Sequence, residues 1–100
     1  MATYTAQLTD GILKVGFNPN EPADNNLIVQ DAVAACEPLR DQVAGKVLKI
    51  NGPASLPVAI AIGHCFAHVV PAIACWDPKL KKYVVSISHS PDYKLGDLID

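Results

Sequence analysis

Alternating apolar positions, bounded by turn-forming residues, predict five β-strands. The predicted strands lie at residues 4–8, 12–17, 46–50, 72–76 and 83–88. Asp10-Gly11 is a strong hairpin signal between the first two strands. Residues 95–100 are expected either to form a short edge strand or to fray. Strands are therefore predicted at both ends of the chain, with helices between them.

The segment after the second strand has a helical period. Its apolar residues form one stripe: Ile28, Ala32, Ala35, Cys36, Leu39 and Val43. Asp24, Asn25 or Asn26 can cap the start of this helix, and Gly45 can end it. Pro38 lacks an N–H group and should break or kink the helix before its last turn.

The second predicted helix runs from Leu56 to about Val69. Ser55 is a suitable N-cap, and Pro57 fits the first turn. The helix is apolar almost all round, which is typical of a buried crossover helix. Gly63 lies within it, and a close approach of helix and strand is the expected reason for a glycine there.

The order of the elements, β-β-α-β-α-β-β, predicts an α/β fold. A strand, a helix and a strand between residues 46 and 76 require a parallel pair with a right-handed crossover. We therefore expect a small Rossmann-like mixed sheet with an antiparallel hairpin attached. One hundred residues correspond to a single domain, residues 1–100.

Composition narrows the function classes. Half of the residues are hydrophobic and 18% are charged, which indicates a packed globular protein with surface to bury against a second copy. A net charge of −2 argues against a sequence-independent coat for DNA or RNA. Cys36, Cys65 and Cys75 form no C-x-x-C pair and are expected to be buried, reduced thiols, as in a cytosolic protein. Neither a signal peptide nor a membrane span is predicted.

The first candidate site is the turn Asn51-Gly52-Pro53-Ala54-Ser55. It opens a helix at the carboxyl end of a predicted strand, where free N–H groups and the positive helix end suit a phosphate. An ordinary strand–helix turn with a serine cap has the same sequence features. The G-x-x-x-x-G-K-[ST] pattern is absent, so ATP hydrolysis is not supported.

Asp77-Pro78-Lys79 is the second candidate. It follows the next parallel strand and should lie beside Asn51 and Gly52. An acid and an ammonium group there could bind a metal ion and a phosphate. A proline-initiated hairpin turn with solvated charges explains the same residues.

Histidines supply two further candidates. His64 and His68 are four residues apart on one helix face, a spacing that allows metal binding, although a histidine in the core or at a subunit contact explains it more simply. His89 lies between Ser88 and Ser90 at a strand end. It is a candidate general acid or base, and a strand end capped by a hydroxyl turn is the alternative.

Strand direction separates these candidates. Asp77 and His89 lie at opposite ends of an antiparallel hairpin, about 20 Å apart at ~3.3 Å per residue. One copy cannot bring both to one scissile bond. Either one of them is not catalytic, or the site is built by stacking two copies.

Several of these motifs together resemble a known family. GPASLP, the Ala-His pair in the second helix, the turn A-x-x-x-W-D-P-K-L and V-V-x-x-S-H-S are similar to the compact third type of CRISPR-associated Rossmann-fold (CARF-type) ring nucleases. The resemblance covers about residues 46 to 97 and, weakly, the N-terminal hairpin. It implies a cytoplasmic homodimer that binds and linearises cyclic tetra-adenylate and so ends type III CRISPR antiviral signalling. Family members occur alone or fused to a P-loop domain; neither DNA nor a membrane is an expected partner.

The resemblance also assigns roles. Asp77, Lys79 and His89 would be catalytic, with two dimers stacked head to tail around the ring. Asp77 would also hold Mn²⁺, although a histidine that some members carry before the fourth strand is replaced here by Val69-Val70-Pro71. The ligand contacts would be the following residues: Asn51, Gly52, Pro53, Ala54, Ser55, His68, Ser88 and Ser90.

Two other functions fit the same sequence. The domain could sense a cyclic oligoadenylate without cutting it and regulate a fused or separate effector. It could also be a dimerising structural domain whose turns bind nothing.

Overall fold

A computed structural model describes residues 2–100. The strands are β1 (Tyr4–Thr9), β2 (Ile12–Phe17), β3 (Leu48–Asn51), β4 (Ala72–Asp77), β5 (Lys82–Ser88) and β6 (Leu98–Ile99). The helices are α1 (Asn25–Cys36), a 3₁₀ turn (Glu37–Leu39), α2 (Arg40–Val43) and α3 (Leu56–Ala67). The predicted α/β class and element order are confirmed, and residues 98–99 form the short edge strand.

The six strands form one mixed sheet in sequential order, β1-β2-β3-β4-β5-β6. β2, β3 and β4 are parallel, whereas β1, β5 and β6 are antiparallel to their neighbours. The Rossmann-like arrangement is not confirmed. A doubly wound sheet reverses its strand order and carries helices on both faces, but both crossovers here step in the same direction.

Both long helices therefore cover the same face of the sheet. α1 packs on α3, and the core between helices and sheet contains buried side chains from both layers, including Leu13, Leu48, Ile62, Phe66 and Ile73. We call the face of the sheet that α1 and α3 cover the helix face. Within residues 2–100 no helix covers the opposite, open face, where a small cluster of Ala72, Ala74, Tyr83 and Val85 is buried with Tyr93 packed against it.

Local sequence signals explain the element ends. Asp10 and Gly11 have φ values of 53° and 79°, so both occupy the left-handed region that a tight hairpin turn needs. α1 stops before Pro38, as predicted, and the 3₁₀ turn and α2 follow. Asp24 is the N-cap of α1, although its side chain makes no capping hydrogen bond.

The expectation that α3 is buried all round is wrong. Val58, Ile62, Gly63 and Phe66 are buried, whereas Leu56 and Ile60, one helical turn apart, are 74% and 65% exposed. The two-layer fold leaves one side of α3 without a partner. No helix in residues 2–100 is long and apolar enough to cross a membrane.

Candidate functional site

The turn after β3 is pressed against β2. Gly52 has φ +134°, and a Cβ added there would lie 1.9 Å from the carbonyl oxygen of Val15. Only glycine fits such an approach without moving the backbone. The close packing fixes where the Asn51–Ser55 turn leaves the sheet.

Hydrogen bonds hold the far side of the same turn. The Tyr4 hydroxyl donates to the carbonyl of Pro53 over 2.7 Å. Ser55 Oγ accepts from the N–H of Val58 (3.4 Å) and donates to Asn25 Oδ1 (2.8 Å). The predicted serine cap is confirmed, and it links the starts of α1 and α3.

Few backbone donors remain at this helix start. Pro57 has no N–H, and the N–H of Val58 is taken by Ser55. Within the first three residues of α3, Leu56 is thus the residue whose N–H is left for a ligand. An anion here would depend on the turn itself and on nearby cations more than on the helix end.

Asp77 lies at the same edge of the sheet. Ile50 pairs with Cys75, so Asn51 and Gly52 lie beside Trp76 and Asp77, as predicted from strand direction. A cavity of about 190 Å³ opens at this edge, and its lining includes Gly52 and Trp76 but neither Asn51 nor Asp77. The two candidates therefore share one edge, which we call the upper edge.

The Asp77 carboxylate is engaged by its own turn. Its Oδ1 accepts hydrogen bonds from the backbone N–H groups of Lys79 (2.8 Å) and Leu80 (3.1 Å). These bonds fit the alternative explanation of Asp77-Pro78-Lys79 as a hairpin turn. The second oxygen, Oδ2, makes no hydrogen bond within residues 2–100, so it is available to accept one from a ligand hydroxyl. Lys79 itself is exposed.

Three histidines form a row at the opposite, lower edge. The ring centroids of His64 and His68 are 6.0 Å apart, and those of His68 and His89 are 6.3 Å apart and nearly parallel. The backbone N–H of His89 donates to the carbonyl of Pro71, the residue before β4 (2.8 Å). All three rings are exposed, which removes the core explanation for His64 and His68.

The hydroxyls that flank His89 are structural. Ser88 Oγ lies 2.6 Å from the carbonyl of Tyr93 and 3.0 Å from that of Ser90, and it accepts from the Ser90 N–H. Ser90 Oγ accepts from the N–H of Asp92. Both side chains hold the loop that presents His89.

Two residues near the histidine row carry no motif in the sequence. Glu37 and Arg40 line a cavity of about 170 Å³ together with His64, Cys65 and His68. Glu37 and Arg40 belong to the 3₁₀ turn and α2 that follow α1, and both lie beside α3. Only the helical stripe, continued past the proline, could have indicated that Arg40 faces that way.

Cys36 and Cys65 lie in surroundings that disfavour a thiolate nucleophile. All three cysteines are free thiols, as predicted, but the expectation that they are buried holds only for Cys36, since Cys65 and Cys75 are half-buried. Burial, reinforced by the neighbouring Cys65, raises the pKa of Cys36 to about 12. Burial also raises the pKa of Cys65, and both therefore stay protonated at neutral pH.

The arrangement at Asp77 does not by itself fit Mn²⁺. In the part of the chain that the structure describes, no three His, Cys, Asp or Glu side chains converge as metal ligands. Asp77 would supply a single carboxylate, half of it already engaged in the turn. Hard divalent cations need several oxygen ligands, so one protomer does not form such a site.

The sequence of this domain matches a known protein family. The family described as CRISPR-associated protein (Cas_csx3) matches residues 26–100. The chain belongs to this family. The match includes both edges of the Cas_csx3 domain described above: the turn after β3, Asp77 and the histidine row. A comparison with curated proteins gives no match.

Proposed function

We propose that this Cas_csx3 protein binds cyclic tetra-adenylate between stacked copies and linearises it, which would end type III CRISPR signalling. The observation that carries the proposal is the separation of two sets of polar groups. The Asn51–Ser55 turn and Asp77 lie at one edge of the sheet and the histidine row at the other, in a CRISPR-associated protein. Asp77 pairs with Lys82 at the upper edge, and Ser88, next to His89, pairs with Ala72 at the lower edge. A ring between two copies would contact both edges.

The upper edge of one copy would bind the phosphates. The Asn51–Ser55 turn offers backbone groups held in place by Gly52 and Tyr4, and the exposed Lys79 ammonium offsets phosphate charge. Asp77 Oδ2 accepts a hydrogen bond from a ribose hydroxyl. The lower edge of the other copy would bring His89, with His68 beside it.

A ribose 2′-hydroxyl is the nucleophile that this residue set supports best. Its oxygen attacks the adjacent phosphorus while His89 takes its proton. The bond from phosphorus to the 5′ oxygen breaks, and that oxygen takes a proton from the protonated imidazole or from water. The products are a linear oligoadenylate with a 2′,3′-cyclic phosphate and a 5′-hydroxyl. No step in this scheme uses a metal ion.

The unpartnered side of α3 supports a homodimer. Leu56 and Ile60 form an exposed apolar ridge, beside a groove of about 500 Å³ lined largely by apolar side chains such as Ile73 and Ile87. A ridge next to a groove can pair with its own copy across a two-fold axis. Two such dimers would then stack edge to edge around the ring.

The test is cleavage of labelled cyclic tetra-adenylate with EDTA or with Mn²⁺. We expect linear product with a 2′,3′-cyclic phosphate in both. Asp77→Ala and His89→Ala should each be inactive, and mixing them should restore activity. When one variant stacks on the other, one of the two possible orders joins the intact upper edge of His89→Ala to the intact lower edge of Asp77→Ala. Asp41→Ala, an exposed acid in α2, is the matched control and should stay active.

Three results would contradict parts of this proposal. An intact ring after prolonged incubation with excess protein would exclude the nuclease. A product that carries a phosphate monoester, and no 2′,3′-cyclic phosphate, from the first turnover would show that water and not the 2′-hydroxyl is the nucleophile. Absence of complementation would remove the composite site.

A non-cleaving sensor is the second candidate function. It is favoured by the Asp77 carboxylate being held in its turn and by Ser88 being engaged in its loop. Such a domain would bind the ring and regulate a partner or a fused P-loop domain. Ring binding without cleavage, measured as a raised melting temperature, would support it.

A further inference from the structure

A row of polar and aromatic side chains crosses the open face near the upper edge. Gln7 pairs with Lys14, and Lys14 pairs with Asn51. Asn51 follows Ile50, the partner of Cys75, so its neighbour on β4 is Trp76, which pairs with Tyr83. Because side chains in register share one face of a sheet, these residues form a continuous row.

Trp76 is the exposed aromatic member of the row. Its indole is 37% exposed although it lies in a strand. It contacts the Tyr83 ring edge to face, with centroids 5.1 Å apart, while Lys49 Nζ lies 5.6 Å from the centroid of the same Tyr83 ring. The indole therefore packs against Tyr83 on one side and is partly exposed to solvent.

Two lysines share the open face with Trp76, in a protein of net charge −2. Lys14 is exposed and Lys49 is half-buried on the same face. The row contains no carboxylate: Asp77 lies on the alternate face and caps its own turn. Asp100 is paired with Lys82, whose hydrogen bond and charge lower the pKa of Asp100, with a smaller contribution from the charge of Lys49.

We propose that this row binds single-stranded oligoadenylate, with an adenine stacked on Trp76 and phosphates beside Lys14 and Lys49. Aromatic platforms flanked by cations are how proteins hold single strands. The row meets the Asn51–Ser55 turn at Asn51, so it extends the ligand site from the sheet edge onto the open face. The inference rests on the proposed function in that the ligand is an oligoadenylate.

Trp76 is the only tryptophan in the chain, so it reports on its own site. Titration of the intact protein with linear tetra-adenylate should quench its fluorescence. Base stacking is worth ~1–3 kcal/mol per base, so Trp76→Leu should weaken binding of labelled tetra-adenylate by roughly 5- to 150-fold. Trp76→Tyr, which retains an aromatic face, should recover most of the affinity.

Phe17→Leu is the matched control. Phe17 is 41% exposed, similar to Trp76, but it packs on Tyr4 at the helix face. Its replacement should leave affinity unchanged within about twofold. Lys14→Ala and Lys49→Ala should each lower the slope of log affinity against log salt by about 0.7, the value for one phosphate contact on a single strand.

Unchanged affinity in a folded Trp76→Leu protein, or unchanged tryptophan fluorescence at saturation, would overturn the inference. If Trp76→Leu does not fold, the fluorescence of the parent and the two salt slopes decide. Ring cleavage at an unchanged rate in Trp76→Leu would refute this inference without contradicting the proposed nuclease activity. Binding that depends on Trp76, without ring cleavage, would support this inference and refute the nuclease.

Discussion

Replacement of Gly52 by alanine tests how far the candidate turn depends on its contact with β2. A methyl group at this position would lie 1.9 Å from the carbonyl oxygen and 2.8 Å from the carbonyl carbon of Val15, and φ is +134°. Both atoms belong to the backbone of a central strand, so neither can rotate away. The turn must therefore move, or the sheet must.

The expected loss of stability follows from two terms. An L-residue in a sparsely populated backbone region costs ~1–3 kcal/mol, and overpacking costs ~1–3 kcal/mol more. Gly52→Ala should thus lose about 2–6 kcal/mol, a large share of the ~5–15 kcal/mol that holds a domain together. Ligand affinity should fall with it, because the displaced turn carries Asn51.

Gly16→Ala is the matched control for urea unfolding and ligand titration. Gly16 lies in β2 next to Val15, its φ is not positive, and an added Cβ would meet nothing within 4 Å. We expect its free energy of unfolding to change by less than about 1 kcal/mol. A Gly52→Ala protein as stable as Gly16→Ala, with unchanged affinity, would refute the reasoning.

Three further predictions concern stability and use thermal or urea unfolding. Ser55→Ala should lose ~1 kcal/mol, because it removes the cap of α3; no loss would mean that solvent replaces the cap. Phe66→Ala should lose ~3–5 kcal/mol as a fully buried ring, against less than about 1 kcal/mol for the exposed Leu56→Ala; equal losses would contradict the burial pattern. Burial raises the pKa of Cys36 and of Tyr4 to about 12. Their contribution to stability is present below the unfolded values of 9.0 and 10.0 and is lost as pH rises towards 12, by ~1.4 kcal/mol per pH unit for each group. Tyr4→Phe should flatten the decline between pH 10 and 12, and an unchanged slope would exclude Tyr4 as its source.

Much of the local structure could be predicted from the sequence. Asp10-Gly11, Pro38 and Ser55 mark a hairpin, a helix break and a helix start, and each acts over a few residues through its own backbone preferences. The separation of Asp77 from His89 was predictable as well, since it needs only the direction of two strands joined by a tight turn.

How the candidate residues group in space depends on longer-range placement. Trp76, Lys14 and Asn51 come from three strands, and only the sheet register brings them into one row. His68 and His89 approach because the end of α3 lies over the loop after β5. Neither juxtaposition leaves a trace in the spacing of residues along the chain.

The sequence by itself determined which segments are strands and helices, where they stop, and that acid and imidazole end on opposite edges. Period, capping and turn chemistry act locally, so one chain suffices to reveal them. The tertiary structure decided that both crossovers step in one direction, so that the helices share one face, one side of α3 stays exposed and the other face of the sheet is open. That choice depends on how distant segments bury apolar area together, which the amphipathic patterns of the separate elements allow but do not specify.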